Sequence, residues 1–363
     1  MALTTVRPEG MGFNTGRRNL IINGAMQVAQ RGTSSTAANY ETVDRFQNSR
    51  STDGGVTQSQ TDLTSGSPYD EGFRHVYRQT MSTASSTPDA GHYLAALQLI
   101  EASTVATSGW NYTSDSSYLT VSFWVKSSVA GTYVFQFRTN DGTAQAYTFE
   151  YTLVADTWKK VTHSIPGNSN ITINNDNGRG LELYWWVYLG TNYDDSSHTN
   201  EVWEAYSGSS QSKPFAQNWM TTANATFDVT GVQLEVGENA SDFEHRSFGE
   251  ELALCQRYFF AEPQTRAYHA TLNGFFASTT MFIGLKHLPV PMRAGPSLSI
   301  TGNFAAAGTA NKTTSSETIT NAIGDDLTSI EIRGTVSSAT AGEGANFRND
   351  NDATATFHLD AEL

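Results

Sequence analysis

The sequence predicts an all-β protein. We expect an antiparallel, jelly-roll-like β-sandwich over residues 18–246, a short linker helix over 247–262 and a smaller C-terminal β domain over 263–363, preceded by a basic arm over 1–17. Three observations predict this. Short runs alternate apolar and polar residues, the period-two mark of half-buried strands. Turn signals such as Asn140-Asp141-Gly142 and Pro166-Gly167 fall between the runs. Charged residues make up only 16% of the chain and aromatics 11%, a balance that suits pleated, half-buried surfaces better than solvated helices.

At the start of the chain, residues 1–17 have no apolar period and are basic, with Arg7 and Arg17, and Arg18 at the boundary, against Glu9; an arm of this kind suits docking on an acidic partner. From Asn19 the chain reads as strand, with Leu20 and Ile22 alternating, Asn23-Gly24 turning or bulging it, and Met26 and Val28 resuming the pattern. Further strands are expected at Val56–Gln60, Phe73–Met81, Tyr93–Glu101, Tyr118–Lys126, Tyr133–Arg138, Tyr147–Val154, Trp158–Ile165 and Leu181–Leu189. Strands at these intervals without crossover helices predict antiparallel pairing. In Leu181–Leu189, Leu181, Leu183, Trp185, Val187 and Leu189 share one face, leaving Glu182, Tyr184, Trp186 and Tyr188 on the other.

The stretch Phe227–Phe260 reads as a long strand, a loop and a helix, and it links the two β domains. Phe227 and Val229 carry the apolar face until Thr230-Gly231, after which Val232, Leu234 and Val236 carry it, so a bulge at Gly231 is expected to restore the register. Ser247 and Glu250 make a capping box. Phe248, Leu252, Cys255 and Phe259 then form one apolar stripe of a helix, which Pro263 is expected to end. Beyond it, Thr271–Lys286 is strand-like, and Ala353 to Leu363 alternates cleanly. The low apolar content of this region suggests a weakly cored domain stabilised by copies of itself.

The composition excludes several functions. A net charge of −14 disfavours nucleic-acid binding, which needs a basic face to release counterions, and it disfavours adhesion to anionic lipid. Apolar runs stay well below the roughly 18 residues of a spanning helix, so no membrane insertion is expected. With no apolar leader, the chain is expected to be made in a reducing cytoplasm. The one cysteine, Cys255, reads as a buried structural thiol. No histidine falls in a metal-ligand spacing. Asn174-Asn175-Asp176-Asn177-Gly178 reads as a polar turn rather than a calcium loop. No cofactor is expected. Asp194-Asp195 and Asp325-Asp326 are adjacent in loops, whereas glycosidases need carboxylates facing each other roughly 5–10 Å apart. The aromatics are the better lead. Tyr184, Trp186 and Tyr188 stand at two-residue spacing on one face, suited either to a glycan or to a second buried face or subunit contact.

A family resemblance adds to this reading. The run TGVQLEVG followed by FEHRSFGEELALCQRYF is similar to the end of a β-sandwich module found in tail-fibre and other structural proteins of tailed bacteriophages. The segments NLIINGAMQVAQRGTS (Asn19 to Ser34), Val43 to Phe46, YLTVSFWVKSSVAGTY (Tyr118 to Tyr133) and NNDNGRGLELYWWVYLG (Asn174 to Gly190) resemble the rest of that module, in the same order. The opening NLIINGAM also resembles carbohydrate-binding jelly rolls. LPVPMRAGPSLSI (Leu288 to Ile300) looks like the segment that often succeeds the module. The resemblance implies a non-enzymatic structural component of a phage virion, assembled in the host cytoplasm: a tail-fibre or appendage subunit. Other virion structural proteins are its implied partners and a homotrimer its expected assembly, while the aromatic face points to a host-surface glycan as ligand. A capsid decoration or tail-nozzle protein is the structural alternative, and a polysaccharide-degrading enzyme with an accessory binding module the catalytic one.

Overall fold

The computed structural model describes residues 18–323 and 327–363. Arg7, Arg17 and the Asp325-Asp326 pair lie outside the described residues. The described chain divides into two compact units. One comprises residues 18–25, 49–56 and 62–245, the other 26–48, 57–61 and 246–363.

The first unit is an antiparallel β-sandwich. Its eight main strands are, in chain order, His75–Thr83, Tyr93–Glu101, Tyr118–Ser127, Gly131–Thr139, Gln145–Leu153, Lys159–Pro166, Arg179–Leu189 and Thr226–Val236. One sheet sets the first, eighth, third and sixth side by side; the other sets the fifth, fourth, seventh and second. That order is the double Greek key of a jelly roll. The core follows from the alternation read in the sequence. Leu119, Val121, Phe123 and Val125 from one sheet meet Leu181, Leu183, Trp185 and Val187 from the other, all buried. Aromatic rings fasten the two layers: Phe123 stacks on Phe135 at 5.4 Å, and Trp185 stands edge-on to both, 5.7 and 4.9 Å away. Edge-to-face and offset pairs of this kind add about 0.5–1.5 kcal/mol each beyond area burial.

The expected bulge is present. The register of Thr226–Val236 against Tyr118–Ser127 shifts between Thr230 and Gln233, and Gly231 sits at φ 61°. A Cβ there would lie 2.7 Å from the Phe73 ring, so both the backbone conformation and the space require glycine. Beside this bulge runs the opening segment, which is not the strand its alternation predicted. Residues 19–26 are irregular but buried. The Asn19 amide takes the place of a ladder partner: its Oδ1 accepts from the Ile21 and Leu234 N–H groups, and its Nδ2 donates to the Val232 carbonyl. Asn23 and Met26 adopt positive φ, which breaks any regular extension.

The second unit carries two sheets. In the smaller, Thr356–Asp360 lies between Phe259–Glu262 and Ser297–Thr301; the larger has seven strands, with Ala270–Ser278 and Met281–His287 adjacent near its middle. The strand-like stretch Thr271–Lys286 is therefore a hairpin. The core is fuller than the composition suggested. Phe276, Phe282, Phe304, Phe347 and Phe357 are buried together, with Phe304 stacked on Phe347 at 4.9 Å.

Residues 26–48 join this unit rather than the sandwich. Buried polar contacts hold them: the Gln30 Nε2 donates to the Phe259 carbonyl at 2.8 Å, and Arg31 and Arg45 pair with Glu362. The Arg45 guanidinium also stacks 3.5 Å from the Tyr258 ring centroid. A buried arginine needs this kind of partnership to offset its desolvation.

The helix spans Phe248–Gln256, and its capping box between Ser247 and Glu250 is formed as expected. Two features differ from the sequence reading. The helix ends at Gln256, well short of Pro263, because Phe259–Glu262 pairs as a strand. Its buried face is Glu251 and Cys255, whereas Phe248 is exposed and Leu252 half-buried. Glu251 turns inward because the Arg246 guanidinium lies 3.5 Å from its carboxylate.

Candidate functional site

The outer face of the sandwich's second sheet is polar and aromatic where its inner face is aliphatic and aromatic. Pairing sets Glu182 directly opposite Arg138, Tyr184 opposite Gln136, and Trp186 opposite Val134. Alternation sends each of these side chains away from the core that Leu183, Trp185 and Phe137 fill.

This face is covered by the chain itself. Residues 190–217 fold back over it, tied by backbone bonds: Gln211 N to Tyr193 O, Asp195 N to Ser212 O, Glu201 N to Thr148 O and Tyr206 N to Ala144 O, all 2.7–2.8 Å. Glu204–Ala205 pairs with the edge of Gln145–Leu153. Beneath the cover, His198 Nε2 lies 2.6 Å from the Thr148 hydroxyl. Burial lowers the histidine's proton affinity below its ordinary value, with Glu204 opposing that shift.

Between cover and sheet lies a cavity of about 280 Å³, lined by Ser49, Tyr93, Arg138, Tyr184, Trp186, Leu189, Tyr193, Tyr206 and Gln211. Its floor is rigid. The Tyr184 and Trp186 rings stack almost parallel, 4.8 Å apart with 4° between planes, and the indole N–H donates to Gln136 Oε1 at 3.3 Å. Arg138 donates from one nitrogen to Glu182 and to the Tyr184 hydroxyl, which in turn donates to Glu182 Oε2 at 2.7 Å. The guanidinium also lies 4.5 Å from the Tyr206 ring centroid and 5.1 Å from that of Tyr184. Burial works against its charge, but Tyr184 and Glu182 more than offset it and hold its proton affinity above the ordinary arginine value. Burial and the neighbouring Glu182 push the Tyr184 phenol up.

The expected aromatic triad is thus divided by the fold. Tyr184 and Trp186 are only 6% and 4% exposed and serve as floor, because their faces cover each other. Tyr188 is half-buried against Phe215, 6.3 Å between centroids, and does not line the cavity. The other rings of the lining, Tyr93, Tyr193 and Tyr206, are half-buried. Tyr93 is edge-on to Trp186 at 6.2 Å and to Tyr193 at 5.6 Å. Sequence reasoning missed these three tyrosines, Arg138 and Gln211. The available signal was Arg138 itself, a charge on the outer face of a strand otherwise rich in aromatics.

The other sequence candidates lie elsewhere. Arg18 donates to Ser241 Oγ at 2.9 Å and to the Asp242 carbonyl, so its charge is engaged by its own unit. Asp195 accepts from the Ser197 N–H and hydroxyl, and neither it nor Asp194 lines the cavity. Asp176 accepts from the Gly178 N–H, closing the polar turn. Among the described residues no group of three or more His, Cys, Asp or Glu side chains is placed to hold a metal ion. Cys255 is buried, and desolvation raises its thiol well above the ordinary value, which keeps it in the unreactive protonated form. Among the described residues, no helix is long and apolar enough to cross a membrane.

No protein-family model matches the sequence, and no curated protein matches it. Among solved structures, the enzymatically active domain of bacteriophage CBA120 tailspike protein 4 is similar over 60% of this chain, at 11% identity and a TM-score of 0.32. The chain covers 21% of that tailspike chain. The family 11 carbohydrate-binding module of cellulosomal cellulase Lic26A-Cel5E of Clostridium thermocellum is similar over 59% of this chain and 98% of its own, at 13% identity and a TM-score of 0.29. The CBM22-1 xylan-binding domain of Paenibacillus barcinonensis Xyn10C is similar over 62% of this chain and 100% of its own, at 11% identity and a TM-score of 0.27.

Proposed function

We propose that this chain is a non-catalytic structural subunit of a tailed-phage particle, and that its sandwich binds host-surface glycan in the cavity over Trp186. One observation carries the binding half: half-buried tyrosines and a fixed guanidinium converge on a single concave site. Aromatic faces offer apolar contact to sugar C–H groups, while phenols, the Gln211 amide and the guanidinium offer hydrogen bonds to hydroxyls. At about 280 Å³ the cavity is near the lower bound of ligand sites, enough for a terminal or protruding sugar unit rather than a long chain. The virion half rests on the sequence resemblance, which runs through the sandwich.

Binding without cleavage is the reading the lining favours. Its nine residues include neither Asp nor Glu, and the neighbouring Glu182 is engaged by Arg138 and Tyr184. Glycoside hydrolysis needs a proton-donating carboxyl and a second carboxylate across the bond. The test is a glycan array probed with the full chain, paired with a reducing-sugar assay on the same host polysaccharides. Binding without sugar release supports the proposal. Sugar release would establish the catalytic alternative, and no binding to any host glycan would remove the receptor role.

A further inference from the structure

We propose that the outer face of the seven-stranded sheet in the C-terminal unit docks a second copy of this chain. Strand alternation divides Ala270–Ser278 sharply: Phe276 is fully buried in the core, while Phe275 is 48% exposed on the opposite face. Its cross-strand partner there is Ile283, and Leu285, 37% exposed, stands two residues on. Met281 extends the same row on the other side of Ile283, half-buried. A contiguous Phe–Ile–Leu–Met patch on an open sheet face is a docking surface rather than scattered exposure.

The rim identifies the occupant. Glu331 lies opposite Leu285 and Arg333 opposite Ile283, and the two side chains pair at 2.8 Å. Two neighbouring rows cross the face, Phe275–Ile283–Arg333 and Asn273–Leu285–Glu331. A twofold axis in the contact plane, perpendicular to the strands and midway between the rows, lays each row on the other. Ile283 then meets Leu285 of the second copy and Arg333 meets Glu331, while Phe275 covers Asn273 and Met281 covers His287 at the edges of the contact. The centre of the face is complementary to itself, which is the requirement of an isologous contact. Net charge points the same way. Copies of a chain at −14 repel each other, so a homotypic contact must be apolar or internally balanced, and this one has an apolar centre at Ile283 and Leu285 beside a balanced Arg333–Glu331 pair. Apolar burial drives the association, and the charge pairs set its register. Three copies, the number expected from the sequence, would need heterologous contacts, which a face complementary to itself does not call for.

Sedimentation of the full chain at micromolar concentration tests this. We expect the wild type to sediment as a dimer, and the Phe275→Ser/Leu285→Ser variant as a folded monomer with an unchanged circular dichroism spectrum. Glu331→Arg alone sets like charges opposite each other and should dissociate the dimer with the apolar patch intact. Adding Arg333→Glu to it restores opposite charges and should restore the dimer. A monomeric or trimeric wild type would overturn the proposal. So would a dimer that survives both the serine variant and the single charge reversal.

Discussion

Replacing Trp186 with Ala separates a structural floor from an open binding platform. The indole is 4% exposed, stacked on Tyr184 at 4.8 Å and hydrogen-bonded to Gln136. Removing a buried tryptophan costs about 3–5 kcal/mol, and the stranded Gln136 acceptor keeps the value toward the upper end. Tyr206, also in the lining, is half-buried, and its ring lies 4.5 Å from the Arg138 guanidinium. Its loss should cost about 0.5–1 kcal/mol. Urea unfolding followed by tryptophan fluorescence is the appropriate assay, because all seven tryptophans lie between residues 110 and 219, inside the sandwich unit. With a urea m-value of about 1–3 kcal/mol per molar, Trp186→Ala should lower the midpoint by about 1 M or more and Tyr206→Ala by far less. Equal shifts, or a Trp186→Ala shift as small as that of Tyr206→Ala, would refute the assignment of Trp186 to the floor.

The geometry predicts three other outcomes. Gly231→Ala should destabilise the sandwich by about 2–5 kcal/mol, combining the cost of positive φ with overpacking against Phe73; a change below about 1 kcal/mol in the same unfolding assay would mean that the bulge relaxes freely. In the C-terminal unit, Leu252→Ala should cost about 1 kcal/mol against about 3–5 for Phe357→Ala, since the first is half-buried and the second fully buried; comparable losses on thermal unfolding would restore the apolar stripe as the buried helix face. Burial pushes the Asp44 carboxyl up to about 6 despite hydrogen bonds from Gln30 and the field of Arg31. Its folded form thus holds a proton more tightly than the unfolded chain does, so its contribution is full below about pH 4 and is lost as pH rises through 6, about 3 kcal/mol in all. Asp44→Asn should remove that decline from the pH profile of thermal stability, and an unchanged profile would contradict the assignment.

The sandwich was legible because its strands obey a local rule. Tyr93–Glu101 has the expected bounds, and Tyr118–Ser127, whose alternation over eight residues leaves little choice of register, lies within one residue of its expected end. The Gly231 bulge was legible for the same reason, as a break in phase. Asn19–Val28 misled because its alternation is genuine while the backbone of Ile21, Ile22 and Met26 pairs with the side-chain amides of Asn19, Gln98 and Gln60 instead of a ladder, which no period reveals. In the helix, the capping box is local and was read correctly. The buried face was not, because Glu251 is drawn inward by Arg246, an ion pair outside the helix period. The candidate site was half legible. Tyr184 and Trp186 stood out by spacing, but the Arg138–Glu182 pair joins residues 44 positions apart, and the cover over residues 190–217 has no period at all.

Titration calorimetry decides whether the cavity over Trp186 holds sugar. The full chain would be titrated with oligosaccharides released from the host surface polysaccharide, alongside Tyr206→Ala and Tyr93→Ala, which leave the floor intact. The account predicts saturable binding to the wild type, with each tyrosine variant folded and weaker by about 0.5–1.5 kcal/mol, or about 2- to 13-fold in Kd. Wild-type binding that both variants retain undiminished would place the glycan elsewhere on the protein and contradict the assignment of the cavity.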